Sequence, residues 1–87
     1  GRYYTYDPDH PLADSDGWVR VSRATAWKAW KGQPRWCHWC SRGPLLWISS
    51  DLSTRLCVDH LDGDRANDRA SNLLPSCTAC NLFRSKP

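Results

Sequence analysis

Two cysteine pairs, Cys37-x-x-Cys40 and, 36 residues further on, Cys77-x-x-Cys80, constrain this 87-residue chain more than any other feature. A chain of this length buries a limited core and often needs a metal, disulfides or a partner to complete it. Two C-x-x-C knuckles supply four thiolates, the ligand set of a closed tetrahedral structural zinc site. The chain has five cysteines, an odd number, and its start, "GRYYTYDPDHP", lacks the apolar stretch of a signal peptide. Both features favour metal over a disulfide framework or a redox C-x-x-C. The remaining cysteine, Cys57 in "RLCVDH", sits in an apolar run and reads as a small buried hydrophobe. His38, inside "WCHWC", is in principle an alternative ligand, but with four thiols present it reads as a polar spacer.

The formal charge of +3 is mildly basic, and every acidic residue is Asp. Such a balance suits an anionic partner without proving one. No apolar run is long enough for a membrane span, so no membrane partner is expected and the default compartment is cytoplasmic.

The segment "GRYYTYDPDHPLADSDG" is rich in Pro, Gly and Asp and reads as an arm that wraps over the rest. "WVRV" is a short strand candidate. "SRATAWKAWKG" reads as a helix, with Ser22 as N-cap and Gly32 as its stop. "LLWIS" and "TRLCVDH" lean towards strands and suggest a hairpin across "SDLS". A polar loop, "LDGDRANDRASN", leads to "LL" and Pro75, and a short helix "CTACNLFRSK" starts at Ser76 or Cys77. The fold class is a small α+β zinc-stabilised domain. Residues 1–35 form an arm, strand and helix packing on residues 36–87, in one compact domain overall.

The loop "DGDRAND" is not an EF-hand, because the chain has no Glu and Gly63 is misplaced. Asp62, Asp64, Asn67 and Asp68 therefore read as a solvated turn. Asp59 and His60 differ, because a strand sends successive side chains to opposite faces. Both reach one site only if the strand ends or bends there, as the turn-prone "LDG" indicates. Asn81 follows Cys80 directly, about 100° further round the helix axis. Asp59 and Asn81 offer two hard oxygen ligands, appropriate for Mg²⁺ that also takes substrate phosphate and water. His60 beside them is a candidate general base, since imidazole titrates near neutrality.

The order "VDH…N…CxxCN" behind an upstream C-x-x-C resembles the HNH endonucleases of the ββα-metal (His-Me finger) class, in particular the zinc-knuckle kind found among bacteriophage proteins. The resemblance covers Cys37 to Arg84, a little over half of the chain. It implies a ββα-metal motif with Asp59 as a catalytic metal ligand, His60 as general base and Asn72 as the middle Asn that positions the loop and the histidine. Asn81 stands where the family's last His is expected, a variant in which the amide oxygen binds the metal. The implied cofactors are structural zinc and a catalytic divalent cation, Mg²⁺ with Mn²⁺ or Ni²⁺ as alternatives. The implied activity is hydrolysis of DNA phosphodiester bonds, by nicking or double-strand cleavage, to 3′-hydroxyl and 5′-phosphate ends. In that chemistry His60 takes a proton from the attacking water, the metal site neutralises phosphate charge, and the helix start near Cys77 helps hold the anion. The expected setting is a bacteriophage or the cytoplasm of a bacterial host, with phage packaging proteins among the possible partners.

Arg65, Arg69, Arg84 and Lys86 are candidate phosphate contacts, Arg84 foremost, against the ordinary role of solvated surface. A domain this small has little surface for reading bases, so weak sequence preference is expected from a monomer or weak homodimer. The six Trp read as core in preference to base-stacking platforms, since Trp27 and Trp30 share a helix face and Trp36 and Trp39 flank thiols. The competing reading is a non-catalytic zinc-knuckle domain that binds DNA or protein, in which Asp59 and His60 only cap a turn.

Overall fold

The computed structural model describes residues 3–84. Strand β1 (Tyr4–Tyr6) pairs antiparallel with β2 (Trp18–Arg20), which leads directly into helix α1 (Val21–Ala29). Further on, β3 (Cys57–His60) pairs antiparallel with β4 (Leu73–Ser76), and α2 (Thr78–Arg84) follows. The result is a small α+β domain with two helices and two small antiparallel sheets.

The N-terminal segment is more ordered than an arm. Tyr4, Thr5 and Tyr6 face Arg20, Val19 and Trp18 across the ladder, a pairing that suits aromatic and β-branched side chains. Asp14 organises the return turn by accepting from the backbone N–H of Asp16 and Trp18 at 2.9 and 3.0 Å.

Helix α1 starts one residue before Ser22, so Ser22 lies inside the helix and Arg20 occupies the N-cap without a side-chain bond. Its stop is where the sequence placed it. Lys31 and Gly32 take φ of 56° and 67°, and the Gly32 amide donates to the Trp27 carbonyl at 3.0 Å. A Cβ on Gly32 would stand 2.9 Å from the Trp27 ring, so this left-handed turn requires glycine on two grounds.

Ala26 of α1 joins Leu45, Trp47, Leu56 and Leu73 in the core, together with Cys37 and Cys77. Trp27 and Trp30 pack on Trp47 with ring centroids 5.3 and 5.7 Å apart. Arg23 locks the layer by donating to the carbonyls of Leu56 (3.0 Å) and Trp47 (2.7 Å). Each fully buried Leu contributes about 1.5–3 kcal/mol, so the two with no exposure, Leu45 and Leu56, anchor a core of modest size.

Two expectations fail here. "LLWIS" and "TRLCVDH" form no hairpin: their ladder is one isolated parallel bridge, Leu46 with Arg55, supplemented by Ser49 contacts to Thr54 and Arg55. The partner of β3 is instead Leu73–Ser76, with Pro75 opposite Val58. A proline is tolerated there because each strand of a two-stranded sheet is an edge, with one side free of ladder bonds. The tryptophans also divide. Trp27, Trp30 and Trp47 pack in or against the core, whereas Trp18, Trp36 and Trp39 are exposed. Trp36 and Trp39 flank a knuckle in which only Cys37 is buried, and their rings lie on its outer side.

Candidate functional site

The first knuckle sits at the tip of a tight loop closed by the antiparallel Arg35–Leu45 bridge. Within it the Cys37 amide donates to the Arg42 carbonyl (2.7 Å) and the Ser41 amide to the Cys37 carbonyl (2.9 Å). Cys77 follows β4 directly, and Cys80 lies in the first turn of α2, its amide 3.4 Å from Cys77 Sγ. The His38 amide donates to the Pro75 carbonyl at 2.9 Å, which fastens the knuckle to the strand that carries Cys77.

The four Sγ atoms of Cys37, Cys40, Cys77 and Cys80 all lie within 4.8 Å of one another, and Cys40 and Cys77 are 3.7 Å apart. Tetrahedral zinc with Zn–S bonds of about 2.3 Å places its sulfurs roughly 3.8 Å apart. The four cysteines are thus arranged to hold a metal ion, with a donor set and spacing consistent with structural zinc. Among the described residues they are the only group of three or more His, Cys, Asp or Glu so disposed. The four thiols differ in their hold on a proton. Burial pushes the Cys37 thiol up, but hydrogen bonds from the backbone of Cys77, Cys40 and Trp39 outweigh it and bring the thiol down to about 6. Cys80, hydrogen-bonded to Cys77 and crowded by Cys40 and Cys37, is pushed up to about 12. Cys57 stands apart, its Sγ 3.7 Å from Thr78 Oγ1, and His38 is exposed and packs edge-on to Trp39.

Beside the thiols lies a cleft of about 630 Å³ whose walls include Asp59, His60, Asn81 and Arg84. His60 ends β3, and a turn closed by the Gly63 amide on the His60 carbonyl (3.0 Å) follows at once, so Asp59 and His60 both reach the cleft despite being neighbours. Asp59 Oδ1 accepts from the His60 amide at 2.8 Å. Its Oδ2 accepts from Trp39 Nε1 at 3.0 Å and from Arg84 Nε at 2.5 Å. The Arg84 guanidinium lies over the Trp39 ring, 4.0 Å from its centroid. The Asn81 side chain makes no hydrogen bond among the described residues, although its amide continues the helix to Cys77 (2.9 Å).

His60 Nε2 meets Asp68 Oδ1 at 2.8 Å, with both side chains largely buried. Asp68 is therefore a cleft residue, not the solvated turn residue expected from sequence. Asp62, Asp64 and Asn67 do form a turn. Asp62 accepts from Asn67 Nδ2 (2.8 Å), the Asp64 amide (2.8 Å) and Asn72 Nδ2 (3.0 Å), which together hold its carboxyl below the usual range. Buried Asn72 also accepts from the Asp62 amide (3.2 Å), donates to the Asn67 carbonyl (2.9 Å) and receives the Leu61 amide on its own carbonyl (2.8 Å). It closes the loop between β3 and β4 at its base.

The basic candidates separate. Arg84 and Arg65 line the cleft; Arg69 is exposed and outside it. Lys86 lies outside the described residues. The start of α2 does not line the cleft, which takes its α2 wall from Asn81, Leu82 and Arg84. Sequence reasoning missed Trp39 and Asp68, which hold Asp59 and His60, and the cleft walls given by Tyr4 and Arg20. The only signal for Trp39 was its place inside "WCHWC", and for Asp68 its distance of one loop from His60.

Comparison with protein-family models, curated proteins and solved structures returns no match. Fold and site together define a small α+β domain with four cysteines placed to hold a metal ion. No helix among the described residues is long and apolar enough to cross a membrane.

Proposed function

We propose that this chain is a metal-dependent endonuclease of the HNH type, hydrolysing DNA phosphodiester bonds to 3′-hydroxyl and 5′-phosphate ends. The observation that carries the proposal is the meeting of Asp59, His60, Asn81 and Arg84 in one cleft, in the order strand, Asn72-braced loop, strand and thiol-anchored helix. That order supports the ββα-metal reading that the sequence resemblance implies.

His60 is the general base, held at Nε2 by Asp68; accepting a proton requires a ring nitrogen turned to water. Asp59 and Asn81 are the oxygen ligands that would hold a divalent cation, Mg²⁺, Mn²⁺ or Ni²⁺, and such an ion, when bound, supplies charge neutralisation at the phosphate. Arg84 and Arg65 face the same space and are placed to grip phosphate oxygens. The thiol cluster is structural: it fixes the first turn of the helix that carries Asn81. One such domain brings one Asp59–His60–Asn81 set to the DNA and nicks one strand.

A second reading is supported by the saturation of Asp59. A carboxylate already held by Arg84, Trp39 and the His60 amide also fits a zinc-knuckle domain that binds DNA or protein without catalysis. Supercoiled plasmid incubated with zinc-loaded protein and Mg²⁺, Mn²⁺ or Ni²⁺ separates the two. The expected product is nicked circle with ends that DNA ligase reseals. His60→Ala should lower the rate about 100- to 10,000-fold, the usual contribution of a general base, with zinc content and DNA affinity retained. Absence of nicking with every metal decides for the binder.

A further inference from the structure

The outer face of the β1–β2 ladder is a grid of three aromatic rings and an arginine. Tyr4 and Tyr6 lie two residues apart on β1 and face Arg20 and Trp18 across the ladder, so all four side chains share one face. The opposite face carries Val19, which is 1% exposed, whereas Tyr4, Tyr6 and Trp18 are 43%, 62% and 41% exposed. Tyr6 and Trp18 meet edge to face, centroids 5.3 Å apart at 69°, so neither ring is sealed flat against the other. Arg20 lies over the Tyr4 ring at 5.7 Å. The grid is continuous with the cleft, because Tyr4 and Arg20 line the same space as Asp59 and His60.

We propose that this face binds an unpaired DNA strand, with bases stacking on Tyr4, Tyr6 and Trp18 and the strand running past Arg20 into the His60 cleft. The four ladder positions of this face hold rings and a guanidinium and no aliphatic side chain, which suits nucleobases and phosphates better than an apolar protein surface. Base faces are free for stacking only in an unpaired strand, since in a duplex each is covered by its neighbours. The spacing agrees: ring positions two residues apart on a strand are separated by roughly 6.8 Å, twice the roughly 3.4 Å rise of stacked nucleotides. A flexible single strand opens to that spacing without losing base pairs. The connection between β1 and β2 carries Asp7, Asp9, Asp14 and Asp16 at the end remote from the cleft, which repels phosphates there and limits the footprint to a few bases. That this strand is the one cut rests on the nuclease reading; its binding does not.

The test measures affinity of zinc-loaded protein, without added Mg²⁺, for a fluorescent oligothymidylate and for a hairpin duplex of the same nucleotide count. The oligothymidylate should bind at least about tenfold more tightly and quench tryptophan fluorescence. Tyr6→Ala with Trp18→Ala should lower that affinity about tenfold or more while leaving duplex affinity unchanged, and Tyr6→Phe with Trp18→Phe should restore most of it. If the alanine pair loses its zinc, Tyr6→Ala alone carries the test, with a several-fold loss expected. Equal affinity for the two probes, or unaltered oligothymidylate binding in the folded variant, overturns the proposal. So does a wild-type dimer that the variant dissolves with no change in oligothymidylate binding, which would make the face a contact between copies. A protein that nicks nothing yet loses oligothymidylate affinity in the variant removes the nuclease reading and leaves this face in place; nicking with an insensitive face does the reverse.

Discussion

Both oxygens of the Asp59 carboxylate are engaged: Oδ1 by the His60 amide, and Oδ2 by the Trp39 indole and the Arg84 guanidinium. Arg84 is itself stacked on Trp39, so the cation is held from two directions. A divalent ion at Asp59 and the guanidinium are alternatives for one carboxylate, and a phosphate entering the cleft offers Arg84 a second anion. Arg84→Gln should therefore raise Mn²⁺ affinity in the absence of DNA and lower DNA affinity. The charge-assisted contact is worth about 1.5–3 kcal/mol in full, and partial exposure of Arg84 reduces its effective value. A gain of about threefold to tenfold follows, read from the electron paramagnetic resonance signal of free Mn²⁺. Unchanged Mn²⁺ affinity would remove Asp59 from the list of ligands.

The loop between β3 and β4 is an element without regular structure, and its shape comes from Asn72. Asn72→Ala removes its bonds to Asp62 and Asn67 and leaves the Asp68 partner of His60 without its anchor. Cleavage should fall about a hundredfold, the cost of misplacing a reacting group by roughly 1 Å, with zinc stoichiometry and Mn²⁺ affinity unchanged. Loss of Mn²⁺ binding with His60 undisturbed would make Asn72 a ligand instead. Asp62 adds a pH dependence. Its folded carboxyl is held below the ordinary value by Asn67, the Asp64 amide and Asn72, so it stabilises the loop at higher pH and that contribution is lost as pH falls below about 3.9. Denaturant midpoints measured down through that range should drop more steeply in the wild type than in Asp62→Asn, and parallel curves would contradict the bonding described. The sequence made the Asp-His pair and the helix stop at Gly32 legible, because each depends on a local residue type at a local spacing, whereas the Asn72 brace entered only through the family resemblance. It did not disclose β4, since "LLP" has no period-two signature and its pairing is fixed by a partner a loop away. Nor did it disclose Trp39, whose direction is set by how the thiols close.

At the scale of the whole molecule the thiol cluster joins parts that the chain itself keeps far apart. Cys37 and Cys40 belong to the loop under the Arg35–Leu45 bridge, while Cys77 and Cys80 join β4 to α2. Cys37 and Cys77 are also members of the hydrophobic core, touching the cluster of Leu45, Leu56 and Leu73, so the metal site and the core are one structure. With so few fully buried side chains, an ion held by these thiols should supply a large share of the folding free energy, as it does in small zinc domains. Cys80→Ser leaves three thiolates and should lose zinc and the cooperative thermal transition together. The near-ultraviolet dichroism of the Trp27, Trp30 and Trp47 cluster should disappear with them, because that cluster packs on the same core. Chelation of the wild type should do the same and expose all thiols to a thiol reagent. Cys57→Ser is the control: its sulfur lies 3.7 Å from the Thr78 hydroxyl and outside the four-thiol group, so zinc content should be unchanged. A Cys80→Ser protein that keeps its zinc and melts like the wild type would refute the four-cysteine site and, with it, the anchoring of α2 on which the position of Asn81 depends.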